Sequence, residues 1–160
     1  MRKRVSGFTL IELLVVIAII GLLSAIVLAS LNTARNKGKD AAIQEDVSQL
    51  QTLMELNYSD SGSYGALQIG WVPQSGACTG FTSGSYAAKA QQICNDIVNN
   101  AADPGWGAPG YKFYTGNSVG VQDYSIMVYL NDGKWYCAGS SGAKGEYTSY
   151  NVQPGCWNNP

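Results

Sequence analysis

Glu12 is a charged residue in surroundings that disfavour a charge. It lies at the edge of an apolar run, Leu13 to Leu31, that contains no charged residue. An unpaired carboxylate in hydrocarbon costs about 2.5–3.5 kcal/mol on membrane-insertion scales, so such a group needs a partner. The bases near the run all flank it: Arg2, Lys3, Arg4, Arg35, Lys37 and Lys39. We therefore expect Glu12 to pair with a cation that the run itself does not supply.

The rest of the chain offers no catalytic constellation. It contains no histidine, which is the usual general base and metal ligand near neutral pH. Serines such as Ser83 and Ser85 therefore lack an activating histidine, and Asp123 and Asp132 need no role beyond that of turn residues. The sequence predicts a protein that is not an enzyme and binds no cofactor.

The charge distribution argues against nucleic-acid binding. The formal net charge is −1 over 160 residues. A nucleic-acid-binding domain usually shows a basic face or stripe, whereas the lysines of the C-terminal half are widely spaced: Lys89, Lys112, Lys134 and Lys144. We therefore predict no nucleic-acid partner.

The apolar run is the element that must position Glu12. Its length approaches the ~20 apolar residues that a helix needs to cross a bilayer core. A secretory signal peptide has a shorter apolar region followed by a small-residue cleavage site, whereas here Ser6-Gly7 precedes the run and only Ala29-Ser30 offers a late site. A plain membrane anchor explains the length and the basic start, which would stay cytoplasmic, but it does not explain Glu12.

Residues 7–16, GFTLIELLVV, resemble the class III leader and N-terminal helix of type IV pilins and type II secretion pseudopilins. The resemblance implies that a membrane-bound prepilin peptidase cuts between Gly7 and Phe8 and methylates Phe8. It also implies that Glu12 pairs with the Phe8 amine of a neighbouring subunit, which removes the cost of burying either charge alone. The detailed match covers about residues 1–35. Many family members carry a helix-breaking proline where this chain has Ala29. Whether the helix unwinds at this point is therefore left open.

Apolar periodicity continues beyond the run. Steps of four, three and four residues indicate one face of a helix, formed by Ile43, Val47, Leu50 and Met54, with Leu53 beside it. We predict a single helix from Phe8 to about Asn57, ended by the turn-forming residues 59–63. Its first half is apolar all round, and its second half is amphipathic and packs on a globular head.

The head is predicted to combine one short helix with antiparallel strands. The helix spans about Tyr86 to Asn99 and is capped by Ser85, with an apolar face of Ala90, Ile93, Cys94, Ile97 and Val98. Strands are predicted at 111–115, 121–130 and 146–152.

Asp132-Gly133 is a strong hairpin signal. Treated as a two-residue loop, it pairs Leu130 with Trp135 and Val128 with Cys137, so that Trp135 and Cys137 face the helix. The residues that share this predicted face are Tyr124, Ile126, Val128 and Leu130, whereas Met127, Tyr129 and Tyr136 lie on the other side.

The cysteines are expected to form two disulfides. No pair shows C-x-x-C spacing, so a zinc site is not predicted, and an even number beyond a membrane segment favours an oxidising compartment. Three pairings are open. We favour Cys78–Cys94 and Cys137–Cys156, which close loops of ordinary size; the second bond ties the C-terminal tail to a strand, a feature that pilin heads share.

Calcium is a further possibility raised by the resemblance. Some pseudopilin heads bind it near their C-terminal loops, where this chain has the oxygen donors Asp123, Asp132 and Glu146. Their spacing matches no EF-hand loop, so we predict no metal site.

Together these observations predict an α+β, pilin-like chain: a long N-terminal helix packed on a small antiparallel sheet. The predicted parts are a leader (1–7), a transmembrane and assembly segment (8–31), an amphipathic segment (32–57) and a disulfide-bonded head (58–160). The predicted function is that of a structural subunit of a type IV pilus-like filament.

The subunit is expected to be inserted in the cytoplasmic membrane with its N-terminus inside and its head outside. The membrane assembly machinery is then expected to assemble it into an extracellular homo-oligomer. The alternatives are a type II secretion pseudopilin, a minor tip subunit, and a monomeric membrane-anchored ligand-binding protein.

Overall fold

The computed structural model of the chain describes residues 7–73, 78–81, 83–105, 111–116, 123–148 and 156. The chain divides into an N-terminal unit, Met1–Asn36, and a C-terminal unit, Lys37–Pro160. The elements in chain order are α1 (Leu10–Ser61), a 3-10 turn (Gly65–Leu67), β1 (Gly70–Pro73), α2 (Ala87–Asn100), β2 (Tyr111–Gly116), β3 (Ser125–Tyr129), β4 (Trp135–Gly139) and β5 (Lys144–Tyr147). The predicted α+β class, a long N-terminal helix with an antiparallel sheet, is confirmed.

Helix α1 continues four residues beyond the predicted end near Asn57. The Ser61 hydroxyl donates to the carbonyl of Asn57 at 2.7 Å, so this serine extends the helix instead of breaking it. The helix stops at Gly62, whose φ of +70° lies in the left-handed region that glycine adopts at no steric cost. The N–H of Gly62 donates to the carbonyl of Tyr58 at 2.7 Å and closes the last turn.

The predicted apolar stripe on the second half of α1 is confirmed. Its four residues have no exposed surface: Ile43, Val47, Leu50 and Met54. Leu53 is partly buried and packs beside them. The same spacing continues to a buried polar residue at each end, Asp40 and Asn57. The buried face of α1 therefore has an apolar centre and two polar ends.

The sheet is an antiparallel meander in which β1 to β5 pair in sequence order. One of its faces joins α1 and α2 in the main core. The residues that the sheet region contributes to this core include Tyr124, Ile126, Val128, Leu130, Tyr136 and Ala138, and those from α2 include Ala90, Ile93, Cys94, Ile97 and Val98. The predicted apolar face of the short helix is thus confirmed.

The predicted cap of α2 is wrong. The helix begins at Ala87, and its N-cap position is Tyr86, which makes no side-chain capping bond. A backbone turn takes the place of the Ser85 hydroxyl, because the N–H of Ala87 donates to the carbonyl of Gly84 at 3.3 Å. Gly84 has a φ of +93°, a conformation that glycine supplies readily.

The predicted hairpin register is wrong by one residue. Val128 pairs with Tyr136, and Tyr129 pairs with Trp135. The N–H of Gly133 donates to the carbonyl of Leu130 at 3.2 Å, and Gly133 has a φ of +87°. The loop is therefore a three-residue turn that ends in a left-handed glycine, the next most common hairpin type after the two-residue turn that we assumed.

This slip reverses the faces of β4, because successive strand residues point to opposite sides. Trp135 and Cys137, predicted to face the helix, instead form a second cluster with Met127 and Cys156 on the other face of the sheet. Tyr136, predicted to face away, lies in the main core. The assignments for β3 are unaffected and correct.

Two elements were not predicted, and the strand bounds differ slightly. The 3-10 turn and β1 lie in a glycine-rich stretch, and β1 contains both Gly70 and Pro73, residues that are depleted in strands. β5 begins two residues before the predicted Glu146. Residues 121–122 and 149–152 of the predicted strands lie outside the described residues.

A polar junction joins α1, α2 and the hairpin in the C-terminal unit. The buried carboxylate of Asp40 accepts hydrogen bonds at 2.7 Å from both the backbone N–H and the side-chain amide of Asn131. The same amide also donates to the carbonyl of Asn100 at 3.0 Å. Because a buried carboxylate needs donors, this junction fixes where the hairpin tip meets the two helices.

We predict that Asp40→Ala lowers the free energy of unfolding by about 1.5–3 kcal/mol, because it leaves two donors of Asn131 without their charged acceptor. Chemical denaturation of the detergent-solubilised chain, followed by circular dichroism, measures the loss. Glu45→Ala, which removes an exposed acid from the same helix, is the control. Equal stability of the two variants would contradict the prediction.

A carboxylate also organises tyrosines in the core. Glu55 accepts hydrogen bonds at 3.0 Å from the hydroxyls of Tyr64 and Tyr124, one on each carboxylate oxygen. Burial, followed by the bond to Glu55, raises the pKa of Tyr64 to about 12, and the same causes raise the pKa of Tyr124 further. Both rings must therefore stay neutral in the folded chain.

We predict that the C-terminal unit loses stability in alkali. The folded pKa of Tyr64, about 12, lies above its ordinary value of 10.0. The neutral ring is therefore fully stabilising below pH 10.0, and this contribution is lost as the pH rises through 12. Thermal melting at successive pH values measures the loss. The double variant Tyr64→Phe/Tyr124→Phe should show a flatter alkaline profile, and an unchanged profile would contradict the assignment.

Candidate functional site

The start of α1 is the candidate functional site. Every residue from 7 to 38 is exposed in this chain, and the exposed side chains include Phe8, Leu10, Ile11, Leu13 and Leu14. The helix is long and apolar enough to cross a membrane, and none of its most apolar stretch is buried inside the chain. This segment therefore needs lipid or other helices to cover it.

Glu12 lies in the first turn of α1 and forms a capping box with Thr9. Its carboxylate oxygen Oε2 accepts hydrogen bonds from the backbone N–H of Thr9 at 2.8 Å and from its hydroxyl at 2.7 Å. In return, the Thr9 hydroxyl oxygen accepts from the N–H of Glu12 at 3.3 Å. Thr9 and Glu12 thus occupy the N-cap and N3 positions and satisfy two backbone donors of the helix end.

The capping box occupies only part of the hydrogen-bonding capacity of the Glu12 carboxylate. An ionised carboxylate has two oxygens with about four lone-pair sites, and both Thr9 donors go to Oε2. The helix N-terminus also favours a negative charge at this place through its dipole. The arrangement is therefore a fixed anion, held in one orientation by its own chain, with acceptor capacity remaining for a cation.

The two residues at the predicted cleavage point lie directly before this box. Phe8 is 84% exposed. Gly7 has no atom within 4 Å of the place where a Cβ would stand. The chain itself therefore sets no steric requirement for glycine at this position. The basic residues of the predicted leader, Arg2, Lys3 and Arg4, lie outside the described residues.

Thr9 is the functional residue that the sequence reasoning missed. The signal was present, because a threonine followed three residues later by glutamate just before an apolar run is the signature of a capping box. The same glutamate therefore has two roles, as a charge that needs a partner and as a helix cap, and only the first was predicted.

The four cysteines form two disulfides, Cys78–Cys94 and Cys137–Cys156, which are the local pairs that the sequence favours. The first joins the segment before α2 to the middle of that helix. The second joins β4 to the C-terminal tail, on the sheet face that is turned away from the main core.

The three acids considered for calcium do not form one site. Asp132 and Glu146 both contact the ammonium of Lys134, at 3.0 and 2.7 Å, and these contacts raise the pKa of Lys134. Asp123 instead accepts a hydrogen bond from the Ser140 hydroxyl at 3.4 Å. In the part of the chain that the structure describes, no group of three potential metal ligands is present. A lysine side chain thus neutralises two of the three candidate acids.

Comparison with known proteins identifies the family. The family profile described as "Prokaryotic N-terminal methylation motif" matches residues 2–28. The type IV major fimbrial protein FimA of Dichelobacter nodosus is 31% identical over 147 residues, which cover 90% of this chain and 94% of the relative. This chain belongs to the type IV pilin family.

Two further relatives are a major pilin and a type II secretion protein. The type IV major pilin protein PilA of Myxococcus xanthus is 32% identical over 159 residues, which cover 94% of this chain and 66% of the relative. The type II secretion system core protein G of Pseudomonas aeruginosa is 30% identical over 69 residues, or 43% of this pilin-family chain and 49% of the relative. No solved structure matches the chain.

Proposed function

We propose that this chain is a structural subunit of a type IV pilus-like filament, held together through the first half of α1. The observation that carries the proposal is the position of Glu12, an oriented carboxylate at the start of an exposed apolar helix of membrane-spanning length. The relatives that match most of the chain are named as major pilin and fimbrial proteins. None of these names describes an enzyme.

The proposed maturation step is cleavage between Gly7 and Phe8 by a prepilin peptidase, followed by methylation of the Phe8 amine. It is supported by the match to the methylation motif over residues 2–28. Cleavage converts a backbone amide next to Thr9 into a cationic amine. This is the cation that the apolar run lacks.

The proposed assembly contact joins Glu12 of one subunit to the Phe8 amine of the next. The box with Thr9 leaves Oε1 available, so Glu12 can keep capping its own helix while it accepts from a neighbouring amine. Two opposite charges that meet in an apolar setting offset the cost of burying each one. Lateral packing of the apolar helices supplies attraction, and the ion pair sets their axial register.

Each part of the chain then has a distinct proposed role. Residues 1–7 address the precursor to the membrane with its N-terminus in the cytoplasm. Residues 8–31 hold the precursor in the membrane and later form the filament interior. Residues 32–57 pack on the head, and residues 58–160 form the outer surface. The proposed partners are further copies of this chain, the peptidase, the membrane and its assembly machinery.

A pseudopilin of a type II secretion system is the second candidate. The specific observation in its favour is the 30% identity to core protein G of such a system. Electron microscopy separates the two, because a pilin gives long fibres outside the cell. A monomeric membrane-anchored binding protein, from a different class, predicts an intact Met1 and no higher-order species after gentle detergent extraction.

We predict that Glu12→Ala leaves membrane insertion intact but reduces sheared surface filaments by a hundredfold or more. Removing one partner of a buried ion pair costs roughly 3–5 kcal/mol, and each 1.4 kcal/mol is about a tenfold change in the equilibrium. Immunoblots of membrane and sheared fractions, with electron microscopy of the latter, measure both quantities.

Glu12→Gln is the matched variant, because glutamine also serves at the N3 position of a capping box but carries no charge. It should fail to assemble like Glu12→Ala, although its helix end stays capped. Normal filaments in Glu12→Gln would show that capping, not charge, is the contribution of this residue. They would contradict the proposed contact.

We predict that Gly7→Val blocks leader removal, so that mass spectrometry finds the chain still beginning at Met1. A Cβ at Gly7 meets no atom of the chain within 4 Å, and any effect must therefore arise at the peptidase. Gly21→Val is the control, since Gly21 is equally unobstructed but lies within α1, away from the cut. A processed N-terminus in Gly7→Val would contradict the assigned cleavage point.

A further inference from the structure

The charges on the amphipathic part of α1 are segregated along the helix. Within the C-terminal unit, the bases Lys37 and Lys39 come first. The acid beside them, Asp40, is buried and accepts hydrogen bonds from Asn131, and the acids Glu45 and Asp46 follow. Lys37 and Glu45 are exposed, whereas Lys39 and Asp46 are half-buried. The helix therefore has a positive portion followed by a negative portion.

The negative portion is reinforced by α2. Burial raises the pKa of Asp46, and the nearby carboxylates of Asp96 and Glu45 raise it further. Lys89 is the base that acts in the opposite direction, and its ammonium donates to the side-chain oxygen of Gln92 at 3.4 Å. Three acids thus face one base, and the group, which we call the Asp46 cluster, keeps a net negative charge.

Neither Lys39 nor an acid of the Asp46 cluster forms an ion pair within the described part of the chain. The ion pairs found there are the two that Lys134 makes, with Asp132 and with Glu146. Lys39 and Asp46 are seven residues apart, which is close to two helical turns, so they lie on the same side of α1 and roughly 10 Å apart along its axis. Lys39 and Asp46 thus lie on one side of the helix without contacting each other.

We propose that Lys39 of one copy docks on the Asp46 cluster (Glu45, Asp46 and Asp96) of the neighbouring copy in the filament. The inference rests on the proposed function, because it requires neighbouring subunits to lie parallel. Copies inserted in one membrane in the same orientation satisfy this condition.

The sign pattern favours a second copy shifted along the helix. Parallel copies in register place Lys39 beside Lys39 and repel each other, whereas a shift of about seven residues places Lys39 beside Asp46. Each copy then offers its base to one neighbour and its acids to the other. Such a head-to-tail contact does not close on itself and generates an open polymer.

The test is a charge reversal in the full-length chain. We expect Lys39→Glu and Asp46→Lys each to lower the yield of sheared filaments by about tenfold, since the attraction between two half-buried charges is replaced by a repulsion of similar size. The double variant Lys39→Glu/Asp46→Lys should give more filaments than either single variant, because positions 39 and 46 again carry opposite charges, although Glu45 and Asp96 keep the recovery below the parent yield.

Lys37→Glu is the matched control. It makes the same change of charge on the same helix, but two residues turn a helix by about 200°, so Lys37 lies on the opposite side from Lys39. Its filament yield should equal that of the parent chain. Circular dichroism of the detergent-solubilised variants checks that all of them are folded.

The outcomes distinguish failure of the docking contact from failure of the proposed function. Absence of filaments from the parent chain would contradict the proposed function, and the docking contact with it. Filaments from the parent together with normal filaments from Lys39→Glu would overturn only the docking contact. A loss in Lys39→Glu without a loss in Asp46→Lys would indicate that the lysine binds anionic lipid or another protein, and would also overturn it. Failure of the double variant to recover would do the same.

Discussion

Between residues 7 and 38 every side chain of this chain is exposed, and most of those up to Leu31 are apolar. Covering apolar surface is favourable by about 25 cal/mol per Å², so this segment is driven out of water. Lipid tails and the apolar sides of other helices both satisfy aliphatic residues. They differ at Glu12, because lipid tails offer no donor to a carboxylate. In the proposed filament, that one side chain makes a protein neighbour preferable to lipid.

In the C-terminal unit, too, polar groups in apolar surroundings need hydrogen-bond partners. The apolar contacts of its stripe on α1 are non-directional. The contacts of the buried polar residues at the two ends of the stripe are directional, because buried polar groups must be hydrogen-bonded. Asp40 meets Asn131, and the amide of Asn57 donates to the carbonyl of Ser63 at 2.7 Å. The bonds of Asp40 fix the axial position of the helix on its sheet, and the bond of Asn57 fixes the turn that follows the helix.

The features that could be read from the sequence are those governed by periodicity and by isolated charges. The stripe from Ile43 to Met54 and the buried face of α2 repeat over several turns, so an error at one residue does not change the interpretation. The faces of β4 depended on a single turn at Asp132-Gly133. There, two-residue and three-residue loops fit the same residues, and only the backbone bond to Leu130 distinguishes them.

The remaining errors of prediction have two causes. Backbone hydrogen bonds fix some elements without the side chains that usually signal them, and one side chain has two roles. The start of α2 is fixed by the carbonyl of Gly84, so the hydroxyl of Ser85 was a misleading signal. β1 is held by pairing with β2 despite residues that disfavour strands. Glu12 was recognised as a charge, but its bonds to Thr9 show that it also caps its own helix.

The two disulfides link the stability of the folded chain to the compartment that it has reached. Each closes a loop of 16 to 19 residues, which is worth about 3 kcal/mol in the chain-entropy model. Cytosolic thiols stay reduced, so a chain held in such a compartment lacks both contributions. The C-terminal unit is therefore more stable in an oxidising compartment than in a reducing one.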